Sequence, residues 1–174
     1  MIKEVKSINH FDKLAREWNC PENKIFWTHQ SCRQGRRFDP DSIEKNLKSL
    51  FISTLQTGEI LPFIKLWSFE ENGRSLAGCV FSGNKNFMMN EKIFEEILWQ
   101  VPGKYASTIK HKKIMIELLK TAENYARRSG FKVMSISRDP QLHNFTKEKN
   151  SGIKNYYTRN NYEPAAIQYF KTLN

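Results

Sequence analysis

The spacing of apolar positions predicts helix early in the chain and sheet in its middle. Ile2 and Val5 alternate with charged residues and read as a short strand, Ile2 to Val5. Phe11, Leu14, Ala15 and Trp18 recur at helical spacing and predict a helix from His10 to Trp18, capped by Ser7 or Asn9. Asn19 to Asp39 is irregular, mixing the aromatics Phe26, Trp27 and Phe38 with Arg33, Arg36 and Arg37. Asp39-Pro40-Asp41 starts a second helix, with Glu44 three residues beyond Asp41 in a capping-box arrangement. That helix is expected to run to about Leu55, to bury Ile43, Leu47, Leu50, Phe51 and Leu55, and to stop at Gly58.

The period then shortens to that of a sheet. Phe63 to Phe69 (FIKLWSF) and Leu76 to Phe81 (LAGCVF) flank the turn signal Glu71-Asn72-Gly73 and predict an antiparallel hairpin. Gly83 to Asn90 reads as a loop, and Lys92 to Val101 as a third strand ending at Pro102. A connection rich in small and basic residues, Lys104 to Lys113, leads into a long helix. Ile114, Leu118, Leu119, Ala122, Tyr125 and Ala126 form its apolar stripe, and Gly130 stands at its C-cap. Phe131 to Ser137 is a strand of buried type, Asp139-Pro140 to Gly152 a loop or a weak turn of helix, Ile153 to Asn160 a short helix and Ala166 to Thr172 a final strand. This order predicts an α+β fold, a single mixed, mostly antiparallel sheet flanked by helices, in one domain spanning 1–174. The strands on either side of the long helix must run parallel through a right-handed crossover.

A chain of 174 residues is long enough for one substantial core. No apolar run is long enough to span a membrane, and the N-terminus has no apolar signal segment, so the expected compartment is the cytoplasm. Cys20, Cys32 and Cys79 are odd in number and far apart, which fits reduced thiols better than a disulfide set or a metal site. The net charge of +10 favours an anionic partner: nucleic acid, a nucleotide cofactor or an acidic surface. Arg33, Arg36 and Arg37 form one basic cluster suited to nucleic acid, with Trp27 or Phe38 available to stack on a base. Lys110 to Lys113 (KHKK) forms another. A strand feeding a helix N-terminus through a short connection, as Ile97 to Ile114 does, presents backbone N–H groups to an anion such as phosphate.

The element order and three stretches resemble the GNAT acyltransferase superfamily. The C-terminal IKNYYTRNNYEPAAIQYFKTL is similar to the family's ending, a Tyr on a short helix before an aromatic and a last strand. Here that Tyr is Tyr157, with Asn161-Tyr162 in place of the usual glycine and phenylalanine. ENGRSLAGCVF resembles the family's turn and glycine-bearing strand, and EEILWQVPGKY the strand before its long helix, as found in small phage members. The family's cofactor loop carries Gln or Arg and two small residues. The matching positions here are Lys110, Lys113 and Met115, so both glycine positions hold large side chains.

The resemblance implies transfer of an acetyl or related acyl group from acyl-CoA to a primary amine, with acetyl-CoA as co-substrate and no metal. Such chemistry needs a base for the amine, an acid for the departing thiolate and a donor for the carbonyl oxygen. Tyr157 is implied as the acid and Glu95 or Glu96, which face opposite sides of their strand, as the base. Trp99, Val101, Ser107, Thr108, Lys110, Lys112 and Lys113 are the implied cofactor contacts, the strand Ile97 to Val101 supplying the backbone donor. Two other readings fit the basic charge and the altered loop: a Mom-like phage enzyme modifying a nucleic-acid base, and an inactive GNAT-fold module binding nucleic acid or a protein partner. The acceptor amine and the oligomeric state stay open.

Overall fold

The computed structural model describes residues 1–18, 40–85, 91–100, 109–136 and Arg159. Within them the elements are β1 (Ile2–Glu4), α1 (Ile8–Trp18), α2 (Pro40–Thr57), β2 (Phe63–Glu71), β3 (Arg74–Lys85), β4 (Lys92–Gln100), α3 (Ile109–Arg128) and β5 (Val133–Ser135). The fold is α+β, with a mixed sheet in the order β1-β2-β3-β4-β5. β1 to β4 pair antiparallel, and β5 joins β4 in parallel, as the crossover through α3 requires.

The β2–β3 hairpin follows from its turn. Asn72 (φ 50°) and Gly73 (φ 75°) both adopt the left-handed conformation that a two-residue hairpin loop demands. The turn sets the register from Glu71 opposite Arg74.

Each face of the sheet carries its own core. α3 covers one face with Ile114, Leu118, Leu119, Ala122 and Ala126, against Phe63, Trp67, Ala77, Cys79, Phe81 and Phe94. Phe81 and Phe94 stack at 5.1 Å across β3 and β4, and Trp67 meets both edge-on. α1 and α2 cover the other face, where Phe11, Leu14, Trp18, Leu47 and Phe51 pack on Ile64, Leu66 and Val80. Gly78 admits the Trp18 ring, since a Cβ there would lie 2.2 Å from it. The indole N–H donates to Ser75 Oγ at 3.3 Å, which fixes the ring in that slot.

Several expectations are corrected. β3 continues through Gly83 to Lys85, so the anticipated loop is strand at its start, and 86–90 lie outside the described residues. Leu50 and Leu55 are 41% and 44% exposed rather than buried. The buried stripe of α2 runs through Leu47 and Phe51, while Thr54 turns inward and its Oγ1 accepts the N–H of Ile64 at 3.1 Å. β5 is shorter than the predicted strand, and Val133 is exposed. α3 begins at Ile109, so Lys110, Lys112 and Lys113 lie on helix rather than in the connection before it. Ser7 is the cap of α1, accepting the N–H of His10 at 3.3 Å; Asn9 lies inside the helix.

Candidate functional site

The candidate site forms along β4. A bulge interrupts its pairing with β3: Val80 is opposite Leu98 and Phe81 opposite Glu96, which leaves Ile97 as the extra residue. The bulge resets the alternation of side chains. Phe94 and Glu96 point to the α3 face, and beyond Ile97 it is Trp99 that joins that face while Leu98 packs with the α1–α2 core. Glu95 therefore faces the α1–α2 side.

β5 accompanies β4 only as far as Glu95, which pairs with Ser135, whereas β4 runs on to Gln100. Among the described residues no strand continues the ladder on that side of β4 past Glu95. A strand backbone of this kind, where its ladder partner stops, is the sort of place where N–H groups can meet a bound carbonyl.

The two glutamates have different surroundings. Glu95 is partly exposed, and one of its oxygens accepts a hydrogen bond from Asn84 Nδ2 at 2.9 Å. Glu96 holds one carboxylate oxygen away from solvent on the α3 side, opposite Phe81 and beside Trp99. Its charge reaches Cys79. Burial, with the nearby Glu96 charge adding to it, pushes the Cys79 thiol well above its usual range. Cys79 is thus a protonated, fully buried thiol at neutral pH and is unsuited to act as an acyl relay.

The first turn of α3 lies at the end of the sheet where β4 terminates. Lys110 Nζ donates to Glu71 at 2.5 Å, beside the β2–β3 turn, and Gln100 is the β4 partner of Gly78 in the same region. Helical phase divides the KHKK run: Lys110 and Lys113 are exposed, Lys112 is half-buried, and His111 is buried toward the sheet. Lys110 and Lys113, three residues apart, share the exposed face, with Lys112 to one side of them. Met115, matched to a glycine of the family loop, lies inside α3 and packs against the core. The opening N–H groups of α3 and the side chains of Lys112 and Lys113 nonetheless suit the diphosphate of a nucleotide cofactor in charge and donor type.

Of the expected site residues, the structure brings Glu95, Glu96 and Trp99 together on β4, and Lys110, Lys112 and Lys113 on the opening turns of α3. Tyr157, Val101, Ser107, Thr108, Arg33, Arg36 and Arg37 lie outside the described residues. Asn84 and His111 were not singled out by sequence, Asn84 because its stretch reads as loop and His111 because it sits in a lysine run. The helical phase of α3, extended back from Ile114, was the available signal for His111. Among the described residues no group of His, Cys, Asp and Glu is placed to hold a metal, and no helix is long and apolar enough to cross a membrane.

No protein-family model and no curated protein matches the sequence. Solved structures match along its whole length. A GNAT family acetyltransferase from Staphylococcus aureus superposes with a TM-score of 0.58 at 12% identity, covering 99% of this chain and 98% of that one. A ribosomal-protein-alanine N-acetyltransferase from Brucella melitensis biovar Abortus 2308 gives 0.59 at 10% identity and 99% of both chains. A possible acetyltransferase from Clostridium difficile 630 gives 0.60 at 16% identity, with 99% and 97% covered. The chain has the fold of these acetyltransferases.

Proposed function

We propose that this chain, folded as the GNAT acetyltransferases are, moves an acetyl or related acyl group from acyl-CoA to a primary amine. The observation that carries the reading is the parting of β4 from β5 beyond Glu95, next to a bulge at Ile97. That opening leaves strand backbone to bind a thioester arm and its carbonyl. Two carboxylates stand beside it, and a helix N-terminus flanked by Lys112 and Lys113 lies at the end where β4 terminates.

Each residue has a role in this reading. β4 backbone N–H groups hold the carbonyl oxygen as charge develops on it. A β4 glutamate takes the proton from the incoming ammonium, directly or through one water. Tyr157 protonates the departing thiolate, a task suited to a phenol with an ordinary value near 10. The opening N–H groups of α3, with Lys112 and Lys113, hold the diphosphate. Lys110, in an exposed pair with Glu71, stands beside them.

The test is thiol release from acetyl-CoA in the presence of a panel of primary amines, including polyamines, aminoglycosides and peptide N-termini. Amine-dependent release is expected. Tyr157→Phe should lower turnover at least about tenfold with little change in unfolding temperature. Release that no amine accelerates would overturn the reading, and an unaltered Tyr157→Phe enzyme would remove Tyr157 from it.

A further inference from the structure

We propose that Glu95, rather than Glu96, takes the proton from the amine, and that Asn84 is its positioning residue, holding the carboxylate where β4 and β5 part. The inference deepens the acyl-transfer reading and rests on it.

The faces of β4 separate the two glutamates. Glu96 shares the α3 side with Phe81, Phe94 and Trp99, in the sector of the sheet that α3 packs against, and has an oxygen closed to solvent. Both glutamates are partly exposed, and Glu95 faces the other way, away from that aromatic cluster. It is also the last β4 residue in register with β5, so its side chain stands where the two strands part.

Asn84 reaches Glu95 diagonally across the β3–β4 ladder. Ser82 is the direct partner of Glu95, and Ile93 that of Asn84, which places Ser82, Asn84, Ile93 and Glu95 on one face. Asn84 Nδ2 donates to Oε2 of Glu95 at 2.9 Å in a part-buried setting. One oxygen is thereby held, and the other keeps its lone pairs for the amine proton. An amide suits this task. It donates without carrying charge, so it neither repels an arriving ammonium nor neutralises the base as a lysine would.

The proton balance closes. The ammonium gives one proton to Glu95 and becomes the neutral nucleophile. The C–N bond forms as the C–S bond breaks, and the second proton shed by nitrogen balances the one taken up by the thiolate sulfur. Glu95 returns its proton to solvent.

The experiment uses the full chain, acetyl-CoA and the best primary amine of the panel. Glu95→Gln should lower kcat about 100-fold or more, while Glu96→Gln should lower it less. Asn84→Ala should lower kcat about tenfold with the KM for acetyl-CoA unchanged, since it removes one hydrogen bond to a charged group. Asn84→Asp, nearly the same shape without the donor, should do at least as much damage, and Asn84→Gln should restore part of the rate. In a Glu95→Gln background, Asn84→Ala should cost nothing further, because the group it positions is gone. Undiminished kcat in Asn84→Ala, or the same fractional loss with and without Glu95, overturns this inference and leaves acyl transfer standing. A wild-type chain that acetylates no amine overturns the acyl-transfer reading, and this inference with it.

Discussion

Glu70 shows how a buried charge is tolerated in this sheet. It is 7% exposed, yet its carboxylate meets Lys3 Nζ at 2.8 Å and His10 Nε2 at 2.6 Å. Burial alone would raise its pKa. The hydrogen bonds and charges of Lys3 and His10 outweigh burial, and the value lies below that of an ordinary carboxylate. A group depressed in the folded state stabilises fully above its unfolded value near 4.5, and the stabilisation fades as pH falls through the folded value. Glu70→Gln should therefore cost about 1–3 kcal/mol at pH 7 and less at an acid pH below the folded value, read from urea unfolding at both. An equal cost at the two pH values would show that the pairing contributes nothing through charge. Individual residues were unevenly legible in the sequence. Adjacent Glu95 and Glu96 on a strand were bound to face opposite ways. Which side is the core depended on a bulge at Ile97, which no local residue pattern announces. Asn84 was hidden for a related reason: its value comes from cross-strand register, and its own stretch, GNKN, reads as a turn.

At the scale of elements, α3 is the most informative. Its apolar stripe from Ile114 to Ala126 was legible because helical period and core burial coincide there. Its first turn was not, because Ile109 and Lys110 are exposed and the inward position is taken by a histidine. The hairpin was legible from Asn72-Gly73, whose conformations are set locally. Leu50 and Leu55 were misassigned because they flank the α2 stripe, whose centre runs through Leu47, Phe51 and Thr54. Two predictions belong here. Gly78→Ala should cost about 1–3 kcal/mol in thermal or urea unfolding, since its new methyl meets the Trp18 ring between α1 and β3. A neutral result would show that α1 shifts freely on the sheet. Lys113→Glu should weaken acetyl-CoA binding about tenfold and make it less salt-dependent, with the unfolding temperature nearly unchanged. Unchanged affinity would clear the opening turns of α3 of a phosphate-binding role.

For the molecule as a whole, the sheet carries α3 on one face and α1 with α2 on the other, and it is along β4 that its two cores and its fork meet. The end-to-end match to acetyltransferases at 10–16% identity explains why architecture was readable while chemistry was not. Fold is held by period and burial, which survive wholesale replacement of residues, whereas chemistry rests on a few positions that neither period nor burial marks. The net charge of +10 is compatible with any anionic ligand and does not choose among them. The claim on which the account stands is that this chain binds acyl-CoA. Isothermal titration of the full chain with acetyl-CoA, beside duplex DNA at the same moderate salt, tests it directly. The account predicts one saturable site for acetyl-CoA with micromolar affinity, and an unfolding temperature that rises with its concentration. No heat from acetyl-CoA at millimolar concentration, beside clear binding of the DNA, would contradict it.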